Sequence, residues 1–376
     1  MDRPRPKQYF AFLPMAGVVI LALVGCSLGA PASGLGDAHD AAAGQAVALS
    51  ELDILEDPKT YEGPSTARLV SGGIVPVDVG VAPQLPVTVT DSQGTEVTVT
   101  DVSRILALDL YGSTSRIVFE LGLGDRVVGR DTSSAFPEIA DLPLVTENGH
   151  DLNAEAILEL APSVIVTDTS LGPWDAILQM RESGIPVVVV DPHRDIASAP
   201  ALIQQVADAL GVPDAGQVLA ERTAGEIERT VQEIAAITPA DPAQKARMVF
   251  LYVRGQAGVY YLFGQGSGAD SLIQALGGID VASEIGWEGM RPVTDEGLIA
   301  ADPDLIIMMS GGLESVGGVD GLLERLPAVA LTNAGRGRRI VDMDDREILS
   351  FGPITAGVLD ALARAIYAPA TSQEVQ

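Results

Sequence analysis

Two spacings of apolar residues alternate along most of the chain after residue 85. Runs of alternating polar and apolar side chains flank Asp91-Ser92-Gln93-Gly94, and this pattern predicts a β-hairpin. Farther on, short apolar runs that are typical of buried strands are separated by amphipathic segments of helical period. The predicted strands cover 104–109, 126–131, 163–168 and 186–191, and the predicted helices cover 113–124, 152–160 and 173–184. Such alternation indicates an α/β fold with a mainly parallel sheet and helices on both faces.

The strand pattern stops between about residues 198 and 237 and then returns. The interruption is helical by period, and its second segment, 215–237, is long enough for about six turns. Further strand and helix patterns follow over 247–255, 259–264, 272–278, 297–310, 337–345 and 353–368. We therefore predict two similar Rossmann-like lobes, an N-terminal lobe over residues 86–205 and a C-terminal lobe over residues 241–370. One long linking helix within residues 206–240 joins them, and a ligand cleft lies between them.

The two predicted lobes repeat one another in sequence. A shift of 141 positions aligns residues 152–166 with residues 293–307. Glu155 then coincides with Glu296, and the flanking apolar positions also match. A proline in each segment coincides as well, which favours an old duplication over a chance match between two helix–strand units.

The first 85 residues differ in composition from the rest of the chain. A basic segment, an apolar run and the sequence LVGC, which resembles a bacterial lipobox, predict a lipoprotein signal peptide over residues 1–25 with Cys26 as the lipidated residue. The alternative is an uncleaved membrane anchor, and either one places the folded part outside the cytoplasmic membrane. Residues 26–85 are rich in Gly, Ala, Pro and Asp and predict a flexible, lipid-anchored tether, or alternatively a partly ordered collar around residues 50–61.

Charge and rare residue types narrow the possible functions. The formal net charge of −28 disfavours nucleic acid as a partner because phosphate backbones repel so acidic a chain. Cys26 is the only cysteine, so the folded part has no disulfide and no thiol nucleophile. Of the three histidines, His39 falls in the predicted tether, and only His150 and His193 belong to the folded part. His150 follows a turn-prone Asn-Gly pair, at the mouth of an α/β unit where such folds bind ligands.

The lipobox, the tether and the two α/β lobes with one joining helix resemble the binding proteins that feed metal-chelate ABC importers, the carriers of haem, siderophores and cobalamin. The resemblance covers nearly all of the chain after residue 85. It implies a ligand in the cleft, a rigid helix between the lobes and one surface glutamate on each lobe that meets arginines of the permease. By their position just inside a helix that follows a ligand loop, Glu155 and Glu296 match those glutamates.

Four segments narrow the resemblance, namely GHDLNAEAIL, VTDTSLGPWD, FLYVRGQAGVYYLFG and LESVGGVDGLLE. They resemble the HmuT-type haem-binding lipoproteins of actinobacterial ABC haem importers. The resemblance implies that the transported ligand is haem, iron protoporphyrin IX, and that its iron is held by His150 of one lobe and Tyr252 of the other. It implies as partners an ABC permease with its ATPase and the membrane through the lipid anchor, with other surface haem-binding proteins as a further candidate. It implies no catalytic residues.

The chemistry of ferric haem suits this ligand pair. Haem iron has two axial positions, and imidazole and phenolate both bind it. A phenol has an ordinary pKa of about 10, so the phenolate needs the iron or a nearby cation to stabilise it. Arg254 lies two positions after Tyr252 in a predicted strand, and the two-residue period places both side chains on one face. We expect Arg254 to hydrogen-bond the phenolate oxygen.

Other side chains are candidates for the haem pocket. Thioethers and indoles have the apolar character that a porphyrin face or edge needs. The candidates are Met290, Met309, Trp174, Trp287 and Tyr260, with Met308 as a further methionine and Tyr261 as a further tyrosine. Tyr260 and Tyr261 are also rivals of Tyr252 for the iron. Arg291 and Arg346 are candidate partners of the propionates.

Three alternatives remain beside a haem carrier. A siderophore or cobalamin carrier shares the architecture and needs no side chain that ligates iron. A zinc or manganese carrier is disfavoured because His150 and His193 cannot supply three imidazoles to one ion. An enzyme is a different class, and the sequence has no G-x-S-x-G elbow, P-loop or H-E-x-x-H motif.

Overall fold

The apolar runs of the sequence form the strands of separate sheets, one main sheet in each half of the chain. The computed structural model describes residues 47–369. The strands within this range are β1 Ser65–Thr66, β2 Val87–Thr90, β3 Glu96–Val99, β4 Ile105–Leu108, β5 Thr146–Glu147, β6 Asp151–Leu152, β7 Val164–Thr167, β8 Val187–Val189, β9 Arg247–Arg254, β10 Val259–Phe263, β11 Ile279–Asp280, β12 Met290–Pro292, β13 Leu305–Met309 and β14 Ile340–Met343.

Helices cover the faces of these sheets. They are α1 Ser113–Val118, α2 Ala154–Glu159, α3 Trp174–Glu182, α4 Ala199–Ala209, α5 Pro213–Ile237, α6 Ala269–Ala275, α7 Val281–Glu284, α8 Asp295–Ala301, α9 Ser310–Ser315, α10 Gly318–Arg325, α11 Pro327–Ala330, α12 Asn333–Arg336 and α13 Thr355–Tyr367. None of the helices in the described part of the chain is long and apolar enough to cross a membrane.

The main sheet of the N-terminal lobe is small and wholly parallel. Its strand order is β4-β7-β8, and every residue of the three strands is buried. Successive side chains alternate between two cores, since Ile105 and Ala107 pack in one cluster and Leu106 and Leu108 pack in another. Strands that are apolar on both faces are typical of a sheet covered by helices on both sides.

The main sheet of the C-terminal lobe is mixed. Its order is β1-β14-β13-β9-β10-β12, with β11 also paired to β9. The pairs from β1 to β9 are parallel, whereas β10 runs antiparallel to both of its neighbours, β9 and β12. The hairpin of β9 and β10 therefore adds an antiparallel part to a parallel sheet. The predicted hairpin around Asp91 is also confirmed, with β2 and β3 paired antiparallel.

One predicted strand is wrong. Residues 126–131 form only two isolated bridges, from Val127 to Ile105 and from Arg130 to Leu144. The segment changes partner after a single bridge, so no ladder develops. The predicted helix over 113–124 is also shorter than expected, because the regular α-helix ends at Val118 and Gly122 has a φ of +77°.

Helix α5 connects the cores of the two lobes. Proline at its first position fits a helix start, because the missing amide hydrogen has no partner there in any helix. Ala215 and Leu219, near its beginning, pack in the core of the N-terminal lobe. Ile227 and Ile234, farther along, pack in the core of the C-terminal lobe. A single continuous helix that is buried in both cores restrains the motion of one lobe relative to the other.

The sequence repeat coincides with a structural repeat. A shift of 141 positions places the first residue of α2 on the first residue of α8 and the first residue of β7 on the first residue of β13. The helix caps coincide as well. Asn153 accepts a hydrogen bond from the amide of Ala156 at 3.0 Å, and Thr294 accepts one from the amide of Gly297 at 3.1 Å. Each cap satisfies an amide that the first helical turn leaves free.

The prediction of a flexible tether over residues 26–85 is wrong for residues 47–85, because these residues pack on the fold. Leu49 is buried in the core of the C-terminal lobe, and Ser65–Thr66 adds an edge strand to its sheet by pairing with β14. An apolar side chain at Leu49 and a free sheet edge at β14 together hold the segment. The alternative of an ordered collar around residues 50–61 describes this part better. The predicted signal peptide, Cys26, His39 and the tether up to residue 46 lie outside the described residues.

Residues 65–77, which we name the strap, run from one lobe to the other. On the C-terminal lobe, the amide of Ala67 donates to the carbonyl of Asp342 at 2.7 Å. On the N-terminal lobe, Nη2 of Arg116 donates to the carbonyl oxygens of Gly72 and Gly73 at 2.8 and 2.9 Å. The amide of Val77 then donates to a carbonyl of the same lobe, at Glu120, 2.8 Å away. The strap is therefore a second connection between the lobes, besides α5.

Candidate ligand site between the lobes

Tyr252 lies near the carboxyl end of β9, where parallel strands of such sheets present ligand-binding side chains. Its ring stacks on that of Phe263, with ring centres 5.7 Å apart and planes inclined by 23°. Tyr261 lies directly opposite Tyr252 on β10 and packs against the same core. Phe250 also stacks on Phe263, so this face of the hairpin carries four aromatic side chains, and Tyr252 is half-buried among them.

Arg254 shares the face of Tyr252, as the two-residue period predicts. Its guanidinium carbon lies 4.5 Å from the centre of the Tyr252 ring. The same guanidinium forms an ion pair with Asp345 at 2.9 Å and contacts the sulfur of Met309 at 3.7 Å. Four residues from two strands, β9 and β13, and from the loop after β14 thus meet around this guanidinium.

His150 reaches the site from the other lobe. It is the last residue of the turn between β5 and β6, after Asn148 and Gly149, which have φ of +49° and +96°. Such angles suit asparagine and glycine and let the turn present the histidine outward. Partial burial and the positive charge of Arg254 lower the pKa of His150, whereas Asp151 acts in the opposite direction. The imidazole is therefore predominantly neutral near pH 7, with a nitrogen lone pair available to a ligand.

The structure separates the remaining pocket candidates into two groups. Met309 is half-buried beside Arg254, and Trp174 is half-buried at the start of α3, next to the strand that follows His150. Met290 lies opposite Phe263 in the sheet and is 62% exposed. These three side chains stay candidates for the ligand pocket.

Tyr260 and Trp287 do not share a pocket with Tyr252, which corrects the sequence prediction. Both pack with the core on the opposite face of the C-terminal sheet. The physical reason is the strand period, since Tyr260 is adjacent to Tyr261 and its side chain must point the other way. Met308 is fully buried in that same core by the same rule.

A cavity of about 570 Å³ adjoins the site. The strap and both lobes line it, and its charged side chains are Arg68, Arg116, Asp344, Arg346 and Glu347. Ser310 also lines it, directly after Met309, and Asp344 directly precedes Asp345. The lining of the cavity therefore includes three arginines and two residues that are adjacent in sequence to Met309 and Asp345. Arg291 donates to the carbonyl of Glu288 at 3.2 Å and lies outside this cavity.

Comparisons with known proteins identify the family to which this fold belongs. The family model described as periplasmic binding protein matches residues 109–347. The chain belongs to this family. A crystal structure of the heme binding protein HmuT is 43% identical, covers 83% of this chain and 99% of its own, and superimposes with a TM-score of 0.78. The periplasmic heme-binding protein RhuT from Roseiflexus sp. RS-1, in its apo form, is 36% identical over 72% of this chain and 100% of its own, with a TM-score of 0.65.

A curated relative of this binding protein has a name that refers to transport. It is the uncharacterized ABC transporter substrate-binding lipoprotein YvrC of Bacillus subtilis (strain 168), which is 26% identical over 293 residues, or 77% of this chain and 88% of its own. HmuT has also been solved as three single-alanine variants, of a histidine, a tyrosine and an arginine. The tyrosine and the arginine are two positions apart, and the histidine precedes the tyrosine by 99 positions. In this binding protein, Tyr252 and Arg254 are two positions apart, and His150 precedes Tyr252 by 102 positions.

Glu155 and Glu296 are exposed in the first turns of α2 and α8. Each begins the helix after a loop that borders the cleft, and neither carboxylate has an ion-pair or hydrogen-bond partner among residues 47–369. The two glutamates are therefore equivalent positions of the repeat, one on each lobe, and both are free to meet a partner surface.

Sequence analysis missed a buried ionic cluster at the seam between the lobes. Nη2 of Arg194 lies 2.7 Å from a carboxylate oxygen of Asp168 and 3.4 Å from one of Asp109. A third carboxyl group, Asp131, accepts the amide of Asp109 at 3.1 Å, and burial with the charge of Asp109 raises the pKa of Asp131 to about 7. Burial also raises the pKa of Asp168, to about 6. The signal was present in the sequence, because each of the four predicted strands from 104 to 191 ends in aspartate.

Proposed function

We propose that this protein binds haem outside the cytoplasmic membrane and delivers it to an ABC-type permease. The observation that carries the proposal is the Tyr252–Arg254 pair of one lobe, with the guanidinium carbon 4.5 Å from the ring centre. It is joined by an exposed histidine of the other lobe, His150, whose pKa the charge of Arg254 helps to lower. Its relatives HmuT and RhuT are named as heme-binding proteins. The role is binding and delivery, without catalysis.

The residues present fit a haem ligand. Ferric haem takes one axial ligand from each side of its plane, and a cleft between two lobes offers one side to each lobe. A neutral imidazole binds iron without first losing a proton, and the lowered pKa of His150 favours that form. Arg254, stacked on Tyr252, supplies the positive charge that favours a phenolate. We therefore assign His150 and Tyr252 as axial ligands and Arg254 as the partner of the phenolate.

The spacing of the HmuT variants supports this assignment. That protein was altered at a histidine, a tyrosine and an arginine whose separations closely match those of His150, Tyr252 and Arg254. The difference of three positions between histidine and tyrosine fits short insertions in the loops between the lobes. The identity of 43% makes such a correspondence of residues a sound basis for the proposal.

The walls of the cleft suit the rest of the porphyrin. We propose that Met309 and Trp174 contact its apolar parts and that Met290 lies at its rim, where its side chain is largely exposed. The propionates are anionic and need cationic partners. Arg68 and Arg346, which line the adjoining cavity, meet that need.

Delivery requires a contact with the permease. We propose that Glu155 and Glu296 form it, because they are exposed and related by the internal repeat, one on each lobe. Two equivalent acidic contacts would let a permease hold both lobes at once. The rigid α5 and the strap imply that release follows from small shifts of the lobes rather than a wide hinge motion. Anchoring through a lipid on Cys26 completes the proposal and places the protein on the outer face of the membrane.

A haemin titration of residues 27–376, followed by visible absorption, tests the proposal. This fragment keeps all of the residues that the structure describes, 47–369. We expect saturation at one haemin per protein, with the absorption of a histidine- and tyrosine-ligated iron. If no saturable change appears, haem is not the ligand, and the same assay with ferric siderophores and cobalamin distinguishes the alternatives.

A further inference from the structure

We propose that Asp345 is a positioning residue that holds the guanidinium of Arg254 over the ring of Tyr252. Sequence spacing does not reveal the contact between these two residues, because Asp345 lies 91 positions after Arg254, in a run of acidic residues. Its consequence for the ligand rests on the haem-binding function proposed above. Its effect on Arg254 does not depend on that function.

The carboxylate of Asp345 is fixed at both oxygens. Oδ1 accepts the backbone amide of Gly311 at 2.7 Å, at the beginning of α9. Oδ2 forms the ion pair with Nη2 of Arg254 at 2.9 Å. Because one oxygen is tied to the backbone, the other has a defined position, and the guanidinium that it pairs with is fixed in turn.

The backbone around this pair leaves room for it. A Cβ atom added at Gly311 would lie 3.0 Å from the carboxylate of Asp345. A Cβ atom added at Gly312 would lie 2.8 Å from the carbonyl oxygen of Val253 and 3.4 Å from Nη1 of Arg254. Two consecutive glycines therefore allow α9 to approach both members of the ion pair, and a side chain at either position would crowd the approach.

No other contact of Arg254 can replace Asp345. Its remaining polar contacts are the carbonyl oxygen of the adjacent Val253, at 3.0 Å, and the thioether sulfur of Met309, at 3.7 Å. Neither is charged, and a thioether is a weak acceptor. Within the described chain, Asp345 is the one carboxylate in ion-pair contact with Arg254. Without it, a long side chain with one-third of its surface exposed would sample several rotamers.

The position of Arg254 matters to both lobes. From its place over the ring of Tyr252, its charge also acts on His150 across the cleft. Asp345 therefore orients one cation toward both of the proposed iron ligands before haem arrives. A preoriented site binds more tightly because less freedom is lost on binding.

The ligand-free protein provides the first test. In the NMR spectrum of residues 27–376, the Nε–Hε signal of Arg254, assigned by its loss in Arg254→Lys, should lie upfield because the guanidinium stacks on an aromatic ring. We expect Asp345→Ala to move this signal to the ordinary arginine position and Asp345→Asn, which keeps one oxygen acceptor but loses the charge, to move it part of the way. The matched control is Asp344→Ala, because Asp344 is paired with Arg346 at 2.8 Å in the same loop. An upfield signal that persists in Asp345→Ala would overturn the proposal.

A second test measures haem release. Each variant is loaded with haemin and mixed with excess apomyoglobin, and the transfer is followed by absorption. We expect Asp345→Ala to release haem about tenfold faster and to shift the phenolate-to-iron charge-transfer band, and Asp345→Asn to show a smaller change of the same kind. The control for release is Asp320→Ala, which should stay close to the wild type because Asp320 pairs with Arg338 at 2.7 Å, outside the cavity lining. Release at the wild-type rate from Asp345→Ala would remove the residue from the ligand site. If the wild type takes up no haemin, the proposed function fails, and the NMR test still decides whether Asp345 positions Arg254.

Discussion

The guanidinium of Arg254 in the C-terminal lobe lowers the pKa of His150 in the N-terminal lobe, although the two residues are 104 positions apart in sequence. The effect exists only because the β5–β6 turn and the end of β9 face one another across the cleft. It adds to partial burial, which acts in the same direction and more strongly. The site is therefore a property of the assembled lobes and not of either lobe alone.

Replacement of His150 should weaken haem binding without unfolding the protein. His150 is exposed in a turn, so His150→Ala removes no core packing. We expect a loss of affinity of about tenfold to a hundredfold and a change toward the spectrum of five-coordinate, tyrosine-ligated haem, measured by haemin titration. His193→Ala is the control, because His193 is also exposed and pairs only with Asp195, at 2.9 Å. Equal changes in both variants would show that His150 has no special role.

Charge reversal of the two repeat-related glutamates should block delivery and leave binding intact. Both carboxylates are exposed and lie outside the cleft-lining side chains that we assign to haem. In cells that depend on this protein, Glu155→Lys with Glu296→Lys should abolish haem uptake, because like charges would then face the arginines expected on the permease. The purified double variant should titrate with haemin as the wild type does. Normal uptake, or impaired haemin binding, would contradict the docking role.

Hydrogen exchange can test whether the hydrogen bonds from Arg116 stabilise the strap. Arg116→Met removes the two hydrogen bonds to the carbonyls of Gly72 and Gly73. Loss of bonds to a charged donor should lower the local opening free energy by about 1.5 kcal/mol, which makes exchange at the amides of Ile74 and Val77 about tenfold faster.

Arg222→Met is the matched control for that experiment. Arg222 pairs with Glu120, as Arg116 does, but makes no contact with the strap. Faster exchange of the strap amides in Arg222→Met, to the same degree as in Arg116→Met, would show that the shared ion pair rather than the strap contact is responsible.

The buried carboxyl group of Asp131 should make stability fall as pH rises from its ordinary pKa of 3.8 through its folded-state pKa of about 7. Its pKa in the folded protein, about 7, is above the ordinary value of 3.8, so the folded state holds a proton that the unfolded state has lost. The stabilisation is complete at low pH and disappears as pH rises through 7. From pH 6 to pH 8, the wild-type free energy of unfolding should lose about 1.4 kcal/mol that Asp131→Asn does not lose, measured by urea denaturation. Asp141→Asn, at an exposed position, should follow the wild type.

Much of the fold follows from hydrophobic period alone. The runs around Ile165 and Val188 are apolar on both faces because two cores enclose the sheet, and the structure has strands there. Residues 126–131 also have a short apolar run that ends in aspartate, but they change partner after one bridge, which no local pattern reveals. The prediction that residues 47–85 belong to a flexible tether is wrong for a related reason. Its few apolar residues, such as Leu49, are held by a core and a sheet edge that are formed by distant sequence.

The candidate site was predictable where one strand supplies it and not where several elements meet. The two-residue period of β9 predicts that Tyr252 and Arg254 share one face. Once the register of the β9–β10 hairpin is known, the same period places Tyr260 on the opposite face, away from Tyr252. The pairing of Arg254 with Asp345 depends on how α9 and the loop after β14 pack, and sequence spacing does not encode that contact. Buried Arg194 was missed for the same reason, since its carboxylate partners come from different strands.

A haemin titration of Tyr252→Phe beside Tyr260→Phe tests most directly whether Tyr252 binds the haem iron. The two tyrosines belong to the same hairpin and lie on opposite faces of its sheet. If Tyr252 is the phenolate ligand, Tyr252→Phe should lose the phenolate-to-iron charge-transfer band and bind haemin more weakly, whereas Tyr260→Phe should match the wild type. Retention of that band in Tyr252→Phe, or its loss in Tyr260→Phe, would contradict a haem site built from His150 and Tyr252 across the cleft.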